Sequence, residues 1–293
     1  MSEIDPIETR VVANGMAHHV LEWRSLESAA ASPARTVVCC HGYLDVGASW
    51  HLVAQHLVRA GHRVVAFDFR GHGGSEWVKA GGYYHFADYV LDLAELVDQV
   101  APHEFDLVGH SMGGNVAAMF AGIRPSRLRR LVLIESVGPP ESPTEHLPDR
   151  IAEWIAGVRK VRAATPRPLT GLDEAVRRLR SQHPDLDAER GLWVAERSTR
   201  RSAEGDLFFA FDPLHRTRTP LPFRVDQFRA MLARIDVPTL YVQGEHGFRT
   251  GDEDARLSSL AQLTRSEIPS VGHMMHWHAP EALAREIDRH LGS

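Results

Sequence analysis

The sequence predicts an α/β domain built on a mostly parallel, doubly wound sheet, with a helical segment inserted into it. Two observations carry this. Short runs that are apolar at nearly every position recur at Thr36 to Cys40, Arg63 to Phe67, Phe105 to Val108, Leu131 to Ile134 and Thr239 to Val242, each closed by Gly, His or acidic residues. A strand buried on both faces reads this way. Helical stretches lie between these runs, and alternation of strand with helix is the rhythm of a doubly wound sheet. The length, 293 residues, suits one such domain with an insertion.

The chain opens on two alternating runs, Thr9 to Ala13 and Ala17 to Trp23, separated by Asn14-Gly15, a dipeptide suited to a tight hairpin turn. Helices are expected at Ser49 to Ala60, Phe86 to Val100, Gly113 to Ile123 and Pro280 to His290. In the second of these, Phe86, Tyr89, Val90, Leu93, Leu96, Val97 and Val100 follow helical spacing and form one stripe to bury. The rhythm breaks from Gly138 to Asp236. That stretch is rich in Pro, Arg and Trp, has helical patterns near His146 to Arg162, Asp173 to Arg180 and Asp187 to Arg201, and offers no clear strand. The expected organisation is a core of residues 1–137 and 237–293, with 138–236 as a helical cap.

Composition narrows the function. The chain is 43% hydrophobic and 24% charged, with no apolar run of membrane-spanning length. Its acidic N-terminal stretch, MSEIDPIETR, is unlike a secretory signal, so a cytoplasmic location is expected. A net charge of −5 argues against a general nucleic-acid binder. Charge is uneven, however: between Thr144 and Ile235 there are 17 Lys/Arg against 13 Asp/Glu. Cys39 and Cys40 are adjacent in an apolar run, where a strand points them to opposite faces, so they read as small buried hydrophobes.

The sharpest local signal is Gly109-His110-Ser111-Met112-Gly113, between an apolar strand and a small-residue helix. A turn this abrupt needs glycine on both sides and projects its central side chain above the sheet edge, which makes Ser111 the candidate nucleophile. The helix behind it aims free N–H groups at the same spot. After an earlier strand comes His41-Gly42-Tyr43-Leu44-Asp45, and the backbone N–H groups of Tyr43 and Met112 are the candidate oxyanion donors. His273, in a loop before the closing helix, is the candidate base, with His276 and His278 as rivals.

Taken together, His41-Gly42, Asp68 to Ser75, Gly109 to Gly114 and Gly272-His273 resemble, in order, the landmarks of the α/β-hydrolase superfamily. His41-Gly42-Tyr43-Leu44-Asp45 and Glu245-His246-Gly247-Phe248 also resemble the serine hydrolase-like group. The resemblance implies an eight-stranded sheet flanked by helices, a Ser-His-acid triad acting through an acyl-enzyme, a small-molecule acyl substrate, and no metal or cofactor. It also implies a chiefly structural role for Asp68 to Ser75. One landmark departs. Most members carry an aspartate in a Gly-x-x-Asp turn, where this chain has Gly244-Glu245-His246-Gly247. Members such as lipases and haloalkane dehalogenases place the acid at the end of the strand after the nucleophile helix, and the residue there is Glu135. A carboxylate at that strand end faces the crevice where ligands gather in open α/β sheets. Asp252, Asp254 and Glu245 are its rivals. Carboxylic ester hydrolysis is the expected reaction. Thioester, lactone and carbon–carbon hydrolysis and perhydrolysis stand as alternatives on the same residues, and a ligand-binding protein on a retired hydrolase fold as the non-enzyme alternative. The aromatic residues Trp154, Trp193, Phe208, Phe209 and Phe211 are the expected wall over the nucleophile.

Overall fold

The computed structural model describes residues 3–25 and 35–292; the first two residues of the acidic N-terminal stretch lie outside them. Strands β1 (Ile7–Ala13) and β2 (Met16–Trp23) form the expected hairpin. Asn14 and Gly15 turn it with φ of 47° and 70°, both in the left-handed region that a tight primed turn requires. The alternation then runs β3 (Thr36–Cys40), α1 (His51–Arg59), β4 (Arg63–Phe67), α2 (Phe86–Val100), β5 (Phe105–His110), α3 (Met112–Gly122) and β6 (Leu128–Ile134). After the insertion it resumes with β9 (Thr239–Gly244), α8 (Glu253–Leu257), β10 (Leu263–Ile268), α9 (Met275–His278) and α10 (Pro280–Gly292).

Eight strands form one sheet in the order β1-β2-β4-β3-β5-β6-β9-β10. Only β2 pairs antiparallel with both its neighbours; the pairs from β4 to β10 are parallel. Both faces are covered, which is why the central runs are apolar at consecutive positions. Cys40, Phe67, Leu107 and Leu133 pack on one face with α2 and α3, whereas Cys39, Ala66, Val108 and Val132 pack on the other with α1 and α10. The two cysteines are therefore free and buried on opposite sides of the sheet. In α2 the stripe holds except at Phe86, which is exposed at the start of the helix. β10 lies at the sheet edge, and of its residues only Ile268 is buried, so it lacks the apolar run of the inner strands.

The strand order reverses between β3 and β5: from β3 the chain winds outward to β4, and from β5 outward to β6. In open α/β sheets a crevice opens beyond the carboxyl ends of the strands at such a reversal. Gly42 and Tyr43 follow β3, Ser111 follows β5, and Glu135 follows β6.

Between β6 and β9 lie α4 (Leu147–Ala163), α5 (Leu172–Gln182), α6 (Ala188–Ser198), β7 (Thr199–Arg201), β8 (Leu207–Phe209) and α7 (Val225–Leu232). The expectation of a strand-free segment is corrected here. The helix expected at Asp187 to Arg201 stops at Ser198, and Thr199 to Arg201 pairs antiparallel with Leu207–Phe209. Thr199 is β-branched and Gly205 supplies φ of 91° in the connecting turn, so a small hairpin forms where helical periodicity alone continued the helix. Leu169, Ala175, Ala195 and Leu207 give this segment a small apolar cluster of its own. Phe228 and Leu232 of α7 belong instead to the main core beside α3. No helix among the described residues is long and apolar enough to cross a membrane.

Candidate active site

Ser111 sits between β5 and α3 with φ 52° and ψ −117°. A left-handed φ at a non-glycine residue is strained and persists only where the surroundings enforce it. They do so here. The Ser111 N–H donates to the Ile134 carbonyl at 2.9 Å, and its own carbonyl accepts from Asn115 N at 3.1 Å. A Cβ on Gly113 would lie 2.4 Å from the His41 carbonyl oxygen, and one on Gly109 2.5 Å from the Gly114 Cα. Only glycine lets the helix start this close to the strands. Met112 is the first residue of α3, so its N–H has no partner within the helix.

Glu135, the residue after β6, also has a left-handed backbone, φ 46°. Its side chain is fully buried and 2.6 Å from His273 Nδ1 through Oε2. The same carboxylate accepts from Gly244 N at 2.8 Å and Phe248 N at 2.9 Å. A carboxylate with these donors only accepts, so the neutral tautomer that suits this contact has its proton on Nδ1 and its lone pair on Nε2. The turn at 244–247 makes room for this. A Cβ on Gly247 would lie 1.5 Å from Oε1 of Glu135.

The rival acids are engaged elsewhere. Asp252 pairs with Arg256 at 2.9 Å, Asp254 with Arg265, and Glu245 accepts from Ser270 N. His276 hydrogen-bonds through Nε2 to Asp45 at 3.0 Å, and neither it nor His278 meets Glu135. Asp68 also points away from the cavity: it accepts from Gly47 N and Gly74 N and meets His19 Nδ1 at 2.8 Å, knitting β2 to the loop after β4. Arg70 makes a two-pronged pair with Asp92 of α2.

Asp45, His276 and His110 were not expected together from the sequence. They form a buried polar layer at the cavity, which Asp45 and His110 help to line. Asp45 accepts from Ser49 Oγ at 2.8 Å as well as from His276, and its N–H closes the turn on the Gly42 carbonyl. Burial pushes its pKa up, yet the hydrogen bonds of His276 and Ser49, with the imidazoles of His276 and His41 close by, outweigh this and hold the carboxyl below its ordinary range. His110 donates from Nε2 to the His273 carbonyl at 2.9 Å, tying β5 to the loop that carries His273. Its burial, with the rings of His276 and His273 beside it, holds its pKa well below that of an ordinary imidazole. Asp45 is therefore an anion and His110 a neutral ring near neutral pH. Asp45 closes the His41 to Asp45 motif, His110 sits within the Gly109 to Gly113 motif and His276 was a rival base, but no local pattern joins the three.

Tyr43, Ser111 and His273 line one cavity of about 250 Å³ together with Phe209, Phe211 and Trp277. Of the aromatic wall expected from sequence, Phe209 and Phe211 are present. Trp154 packs on Tyr83, Trp193 carries the Arg197 guanidinium, and Phe208 is not a lining residue. Arg216, Arg178 and His183 line the cavity without having been anticipated, because they lie in irregular or amphipathic stretches with no motif.

A family model described as alpha/beta hydrolase fold matches residues 35–280. A serine hydrolase-like protein of Danio rerio is 28% identical over 285 residues, covering 90% of this chain and 84% of its own. Among solved structures, a hypothetical protein of Pseudomonas aeruginosa PAO1 superposes with a TM-score of 0.85 at 25% identity, covering 98% of this chain and 99% of its own. The thioesterase domain from the curacin biosynthetic pathway does so at 0.81 and 28% identity, covering 96% and 98%. With its fold, its elbow and a family match over most of its length, the chain belongs to the alpha/beta hydrolase fold family.

Proposed function

We propose that this hydrolase cleaves carboxylic esters through Ser111, His273 and Glu135 by way of an acyl-enzyme. The observation that carries the reading is the 2.6 Å contact of His273 Nδ1 with a fully buried Glu135. It supports the tautomer in which Nε2 is free to act as the base in the cavity that Ser111 lines.

His273 Nε2 takes the Ser111 proton as Oγ attacks the acyl carbonyl carbon. Negative charge gathers on the carbonyl oxygen, and the amides of Tyr43 and Met112 are the donors suited to it. Collapse breaks the carbon–oxygen bond to the alcohol, which leaves with the proton held on His273. Water then enters, gives a proton to the same nitrogen and attacks the acyl carbon; release of the acid returns the proton to Ser111. Glu135 stabilises the imidazolium in both halves without taking its proton. Residues 138–236 act as a cap over residues 1–137 and 237–293, with Phe209 and Phe211 forming its apolar wall above Ser111.

A fluorophosphonate probe tests the reading directly. Active protein is labelled at Ser111 and loses para-nitrophenyl ester turnover in proportion, whereas a binding-only protein stays unlabelled. The thioesterase domain among the structural neighbours favours thioesters as a second substrate class, separable by running acyl thioesters beside oxygen esters of the same acyl group.

A further inference from the structure

Resting on that reading, we infer that Arg216 makes the cavity selective for esters whose acyl chain carries a second, anionic oxygen group of carboxylate or phosphate class. Arg216 lines the same cavity as Ser111 and His273. Its guanidinium carbon lies 4.9 Å from the centre of the Phe211 ring, and Phe211 is stacked on Phe209 at 5.7 Å and 18°. An aromatic face holds a guanidinium flat and lightly hydrated while leaving its edge of N–H donors free. Among the described residues no carboxylate pairs with Arg216 within 4.0 Å, whereas Arg178, the other guanidinium at the cavity, is spoken for by Glu174.

The negative charge of the cavity lining is already engaged. The one carboxylate lining the cavity is Asp45, and it is turned to Ser49 and His276. Nor is Arg216 on a loose tether. Its turn, Pro213–Arg216, is fixed by the Asp212 side chain, which accepts from Leu214 N at 2.9 Å and Tyr84 Oη at 2.8 Å. The Tyr43 hydroxyl donates to the His215 carbonyl at 2.5 Å, so the residue beside Arg216 is tied to the candidate oxyanion loop. A cation that is held on an aromatic face, unpaired among the described residues and exposed where it lines the reaction cavity is built to meet an anion there. Its five donors in a fixed fork suit two oxygens of one acid group.

Three para-nitrophenyl esters of one chain length test this: the pentanoate, the glutarate monoester, and the analogue ending in phosphonate. The wild-type protein is expected to favour at least one charged ester over the pentanoate by about tenfold in kcat/KM, the worth of one partly screened charge-assisted contact. The better of the two names the anion. Arg216→Gln is expected to shrink the charged-to-neutral ratio about tenfold, chiefly through KM, and Arg216→Lys to retain part of it. Raising NaCl from about 20 mM to about 0.5 M should erode the wild-type ratio. Fluorophosphonate labelling of each variant reports that its site is folded. Labelled protein that turns over all three esters equally, or a ratio that Arg216→Gln leaves unchanged, overturns the inference alone. Unlabelled Ser111 with no turnover of any ester overturns the hydrolase reading and this inference with it.

Discussion

Glu135 and Gly247 compete for one volume: a Cβ at 247 would stand 1.5 Å from Oε1 of Glu135. The turn after β9, where most of the superfamily carries its acid, is emptied of a side chain, and a carboxylate from the neighbouring strand fills the space. The glycine and the glutamate are two halves of one arrangement.

A paired exchange follows from this. Gly247→Ala should displace the Glu135 carboxylate and lower kcat for a neutral ester by about 10²-fold, since the imidazole loses its orienting partner. Glu135→Ala combined with Gly247→Asp should recover more activity than either single variant, a coupling characteristic of residues in contact. Additive losses in that cycle would show that the two positions are independent.

Isosteric removal of charge separates the candidate acids. Glu135→Gln should depress kcat by about 10²- to 10⁴-fold because the amide offers the wrong hydrogen-bond pattern to His273 Nδ1. Asp252→Asn, on the far side of Arg256, should stay within a few-fold of wild type. Steady-state kinetics on one aryl ester would reverse the assignment if Asp252→Asn were the more damaging.

Asp45 should matter for stability as well as activity. It is 3% exposed and paired with a buried His276, so Asp45→Ala strands the imidazole and is expected to destabilise the fold by about 3 kcal/mol. Asp254→Ala, which breaks an exposed pair with Arg265, should cost less than about 1 kcal/mol. Urea melts of both variants compare them, and equal midpoints would contradict the difference in burial.

Acid should weaken the fold through His215. Burial lowers its pKa from 6.5 to about 4, so the folded protein keeps the ring neutral where the unfolded chain protonates it. The stabilisation is complete above pH 6.5 and is lost as pH falls toward 4, amounting to about 3 kcal/mol at most. His72, stacked on His215 at 4.1 Å and also lowered by burial, adds in the same direction. Melting temperatures measured across this window should fall on acidification, and His215→Gln should flatten the slope whatever it does to the neutral-pH value.

By itself the sequence determined the layered fold and the landmarks at the strand ends. A strand buried on both faces must be apolar throughout, and a strand-to-helix turn as tight as that at Ser111 admits few residues but glycine on either side; both constraints are local and leave local marks. Thr36 to Cys40, Arg63 to Phe67 and Phe86 to Val100 were legible to the residue for that reason. Only the tertiary structure decided which residues meet. The partnership of Glu135 with His273 joins positions 138 residues apart, and the Asp45–His276 pair joins positions 231 apart. The hairpin at Thr199 and the place of Arg216 in the cavity likewise depend on what packs opposite them. Contacts of this kind are set by the reversal of strand order at β3 and β5 and by the room that one missing side chain leaves, neither of which has a periodicity to read.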